Sequence, residues 1–175
     1  MADESWWTPQ LKSELSQGDV LSPIPIGSPH LPVTYLSKGR VEKGSQVWLQ
    51  SSKWQPDGDG IGLFLGKGRV IHGLVVSHDC EIDKPSRSAR VLIAPISQLD
   101  KLEESARQPI IEQKRYSLMP LPGVPQLGDY YADLRCLMWL DRKIVDQNKR
   151  IASMSEEGVL RLQAQLIGFF TRKSF

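Results

Sequence analysis

Residues 73–84 read GLVVSHDCEIDK, an apolar run that leads directly into Ser77, His78, Asp79 and Cys80. The chain has three histidines and two cysteines, and one of each falls within three residues here. Cys80 as a thiolate nucleophile, with His78 as its base, is one chemistry this pairing offers. Residues two apart in an extended strand share a face, which would bring His78 and Cys80 to the same side. The alternative is structural. Cys80 is then a small buried hydrophobe, and His78 and Asp79 are loop groups that satisfy backbone donors. A metal site built from His78, Cys80 and His72 lacks a fourth ligand at a recognisable spacing. No metal or other cofactor is expected.

A second constellation precedes this one. Lys38, Arg40, Lys43, Lys53, Lys67 and Arg69 are interleaved with Trp48 and Trp54. Cations among indoles can track a single-stranded backbone and stack its bases, with Arg40, Trp48, Trp54 and Lys67 as the nucleic-acid-binding set. A hairpin core with ordinary solvated lysines accounts for the same residues.

The elements that must carry these groups are bounded by length and composition. At 175 residues, the chain can bury one core and is too short for two ordinary domains. Its 40% apolar and 24% charged residues suit a soluble globular protein. A net charge of +2 gives no argument for nucleic acid by itself. Two cysteines fit no disulfide framework, so reduced thiols in the cytoplasm are expected. No apolar run nears the ~20 residues of a membrane span. The acidic start, MADESWWTPQ, lacks the pattern of a signal peptide.

Thr8-Pro9, with Leu11 and Leu15 four apart, predicts a short helix in an N-terminal extension over 1–17. Pro23, Pro25, Pro29 and Pro32 predict an irregular surface loop. TYLSK and QVWLQSS have strand composition, and Asp57-Gly58 or Asp59-Gly60 suits a hairpin turn. HGLVVS and RVLIAPIS are continuous apolar runs, expected as strands buried on both faces. Residues 98–113 have a helical pattern, with Glu103, Glu104 and Arg107 on a solvated face. RYSLMPLPG is expected as a strand stopped by Pro120 and Pro122. YADLRCLMWLD is expected as one strand, with Leu134, Cys136 and Met138 alternating against Arg135, Leu137 and Trp139. Ser153 and Glu156 form a capping box that opens a C-terminal helix over 153–172. Its apolar side is Val159, Leu162, Leu166, Phe169 and Phe170.

In order and spacing, several short motifs resemble the MazF/PemK toxin family, which shares its fold with the CcdB and Kid toxins. They are Gly18-Asp19-Val20, the apolar run Leu74 to Ser77, Pro95-Ile96-Ser97, and Leu140-Asp141-Arg142 before the final capped helix. The resemblance covers 18–20 and about 70–170. It implies a mainly β, SH3-like small barrel with a C-terminal helix, forming a homodimer. The whole chain, 1–175, would be one domain, with 21–69 an inserted loop and hairpin. Asp141, Arg142, Lys143 and Asp146 would sit at the dimer interface, although a solvated turn explains them equally well.

The resemblance also implies metal-independent cleavage of single-stranded RNA. The 2′-hydroxyl attacks the adjacent phosphate, leaving a cyclic phosphate and a free 5′-hydroxyl. Such a site needs a proton acceptor and a group that stabilises the developing charge. By position, Ser97 would contact the scissile phosphate. The family arginine does not carry over, since Ile71-His72 stands where the toxins have Arg-Pro. His72 or His78 would then be the general base and Arg69 the charge stabiliser, with Asp79 and Cys80 beside them. An antitoxin protein is the implied partner. A different class uses the same fold without cutting RNA: a binding module for nucleic acid or protein, as CcdB-type relatives engage gyrase. A thiol activity centred on Cys80 is the third.

Overall fold

The computed structural model of the chain describes residues 6–27, 34–42, 45–51, 63–65, 68–82, 90–146 and 150–171. The chain divides into two compact units, one formed by Pro25–Val70 and the other by Met1–Ile24 with Ile71–Phe175. The smaller unit holds a three-stranded sheet in the order β3-β2-β4. Its strands are β2 (Thr34–Glu42), β3 (Ser45–Ser51) and β4 (Leu63–Leu65), with a register shift in β2 between Lys38 and Val41. The expected Asp-Gly turns lie outside the described residues.

The larger unit is a curled antiparallel sheet with a C-terminal helix, the mainly β small-barrel class that the sequence implied. Its strands include β1 (Asp19–Gly27), β5 (Gly68–Val75), β6 (Arg90–Gln98), β7 (Leu118–Val124) and β8 (Gly128–Asp133). The remaining two are β9 (Met138–Asp141) and β10 (Arg150–Ser153). Their order is β10-β1-β5-β6-β8-β7, with β9 pairing β6 beyond the end of β8. Helices α1 (Asp79–Ile82), α2 (Glu104–Ile111) and α3 (Arg142–Asp146) are short connectors, and α4 (Glu156–Thr171) packs on the core.

The two apolar runs form β5 and β6, whose central residues are buried on both faces. One face gives Leu74, Ala94, Ile96, Tyr130 and Ala132 to a core shared with Trp6, Met119, Leu121, Met154 and Leu162. The other gives Val75 and Ile93, which are fully buried as well. Pro95 sits in mid-strand without breaking the sheet. Leu92 and Val76 share a backbone hydrogen bond, so alternation turns the nitrogen of Pro95 away from β5. On that side β8 ends and β9 has yet to begin, so no ladder donor is lost.

Four local expectations fail for identifiable reasons. Pro23 and Pro25 do not prevent a strand, because β1 runs through both, while Pro29 and Pro32 lie outside the described residues. β1 pairs with β10 only over Asp19–Leu21, so Pro23 and Pro25 fall beyond that ladder. Pro120 and Pro122 do not stop β7, which is an edge strand. Ser117 accepts from Leu134 on the β8 side, so Pro120 and Pro122 alternate outward, where no donor is required. YADLRCLMWLD is not one strand. A 3₁₀ turn over Leu134–Cys136 separates β8 from β9, and Asp133 caps it by accepting from the Arg135 N–H at 3.0 Å. Leu134 is buried while Cys136 is exposed, so the expected alternation is lost. The cap of α4 is Ser155, not Ser153. Its Oγ accepts from the Gly158 N–H at 3.1 Å, while Ser153 is buried in β10.

Residues 8–17 form no helix. Thr8 donates its N–H to the Ser153 carbonyl at 2.9 Å, and its hydroxyl lies between the Gln10 and Ser153 carbonyls (2.5 and 3.1 Å), which holds the segment along β10. Trp7 forms a β-bridge with Met154 just past one edge of the sheet. Its indole N–H donates to the Pro122 carbonyl on the opposite edge strand at 2.7 Å. Trp7 therefore spans the open seam of the curled sheet, and Trp6 beside it is buried in the core. Residues 6–17 are thus part of the fold rather than an appendage to it.

Candidate functional site

The β5-β6-β8 ladder decides which candidate side chains meet. His72 pairs with Ile96, and Ile96 with Ala132. Directly paired residues share a face, so His72 lies on the core-facing side. There its ring is 5.8 Å from that of Tyr130, nearly edge-on at 79°, and its Nδ1 is 2.7 Å from the Ser22 Oγ. Ser97 is one residue on from Ile96 and emerges on the opposite face, exposed beside its partner Tyr131. Extending the His72–Ile96 pairing by one residue sets Ile71 across from Ser97. That position is held by a half-buried isoleucine. His72 and Ser97, two groups expected in one active site, thus project from opposite sides of the sheet.

The His78-Asp79-Cys80 cluster does not adopt the extended geometry that would align His78 with Cys80. β5 ends at Val75, and α1 begins at Asp79, so Cys80 is the second residue of a helical turn. The Ser77 and Asp79 side chains are both engaged by backbone N–H groups. The Ser77 hydroxyl accepts from the Leu92 N–H at 2.7 Å and fixes the end of β5 to β6. Asp79 accepts the Gln17 N–H at 2.6 Å. The Gln17 side chain donates to the Val76 carbonyl at 2.8 Å and accepts from Gln163 of α4 at 2.9 Å. Asp79 thereby clamps the N-terminal segment against the end of β5. His78 is exposed, and its carbonyl accepts from Ile82. The side chains of Cys80, Arg69, Arg40 and Trp48 lie outside the described residues, as do Trp54 and Lys67 entirely.

Among the described residues, no three His, Cys, Asp or Glu side chains come together to hold a metal. The second cysteine, Cys136, is exposed next to a fork in which the Arg135 Nε and Nη2 donate to Asp133 at 2.9 and 2.7 Å. Hydrogen bonding to this guanidinium holds the Asp133 carboxyl below the usual aspartate range and raises Arg135 in turn. Arg142, in the Leu-Asp-Arg motif, donates to the Ile82 carbonyl at 2.9 Å and ties α3 to the end of α1.

Sequence reasoning missed Ser22 as the partner of His72, because the two are fifty residues apart and no local pattern links them. It also missed the structural work of Asp19, although the Gly-Asp-Val motif was the available signal. No protein-family profile matches the chain, and no curated protein sequence matches it.

Proposed function

We infer that this chain is a non-catalytic protein-binding module on a MazF/PemK-like barrel, acting in the cytoplasm as a homodimer. The observation that carries the reading is Ile71 opposite Ser97 on β5 and β6. Cleavage by 2′-hydroxyl attack needs a proton acceptor and a charge-stabilising donor close to the phosphate. An isoleucine supplies neither, and His72 faces the other way, engaged with Ser22. The resemblance to the toxin family draws support from the location of its motifs. Gly-Asp-Val, the apolar run and Pro-Ile-Ser lie at or along the adjacent strands β1, β5 and β6. Leu-Asp-Arg closes β9 and opens α3.

Protein is favoured over nucleic acid as the partner by the outer side of α4. Leu160, Ile167 and Phe170 are 64%, 47% and 65% exposed, with Ala164 between them on the same helical stripe. This second apolar stripe is additional to the one packed on the core, and a two-fold partner copy would cover it.

Static light scattering at micromolar concentration should therefore give twice the 19.7 kDa chain mass. Leu160→Lys and Ile167→Lys, both at exposed positions, should shift the protein to the monomer without changing its circular dichroism spectrum. A monomer mass for the unmodified protein would overturn the assembly.

A further inference from the structure

We draw no further inference here: the strongest candidate, the outer edge of strand β9 around the exposed Trp139, carries none because nothing in the structure shows what covers it.

Discussion

Gly18→Ala lowers the unfolding free energy by about 2–5 kcal/mol, the sum of a backbone cost and a packing cost. Gly18 has φ +85°, a left-handed conformation that costs an L-residue roughly 1–2 kcal/mol. A Cβ at this position would lie 2.8 Å from the Met154 Cβ and 3.0 Å from its sulfur. Met154 cannot retreat. It is fully buried, bridges Trp7, and donates its N–H to the Gly18 carbonyl. Overpacking of this kind typically costs ~1–3 kcal/mol. A chain of this size loses about 2–4 °C of melting temperature per kcal/mol, so the variant should melt roughly 10 °C lower. Urea unfolding measures the free energy directly, and a value within 0.5 kcal/mol of the unmodified protein, about the scatter of neutral surface changes, would refute the steric account.

The neighbouring residue has an effect of similar size. Asp19 is fully buried, and its Oδ2 accepts the Ser16 N–H at 2.8 Å while facing the Arg150 Nη1 at 3.4 Å. Arg150 also donates to the Glu14 and Ser13 carbonyls, at 2.5 and 3.2 Å, so it anchors the N-terminal segment beside β10. Asp19→Ala removes the acceptor from Ser16 and leaves a largely buried guanidinium without its carboxylate. Breaking a buried pair from one side costs ~3–5 kcal/mol, and the lower end applies here because Arg150 is partly solvated. Asp19→Asn keeps an acceptor for Ser16 and should cost less. If alanine and asparagine were equally mild in urea unfolding, Asp19 would not be the tie between these segments.

Gly18 and Asp19 illustrate what the sequence could reveal. Gly-Asp-Val was legible as a landmark, but its function is architectural: a positive-φ residue packed on Met154, then a buried carboxylate. The β5 and β6 runs were legible because apolar continuity is the signature of burial on both faces. The apolar period of α4 was legible for the same reason. Its cap was misread because Ser153 and Ser155 both precede acidic residues, and only β10 decides which serine is free to cap. Pro23, Pro25, Pro120 and Pro122 misled because the cost of a proline depends on which side its nitrogen faces. That is a property of neighbouring strands, not of the residue.

The candidate site was less legible than the fold. His72 and Ser97 were singled out by type and by motif, yet a one-residue offset in the β5-β6 register puts them on opposite faces. Position within a motif does not specify a face of the sheet; the strand register does.

Incubation of the purified chain with a mixed pool of single-stranded RNAs in EDTA tests the proposed non-catalytic reading most directly. With Ile71 opposite Ser97, the RNA should remain intact and Ser97→Ala should change nothing. Fragments ending in cyclic phosphate, produced in EDTA and lost with Ser97→Ala, would contradict the account and make the chain a ribonuclease.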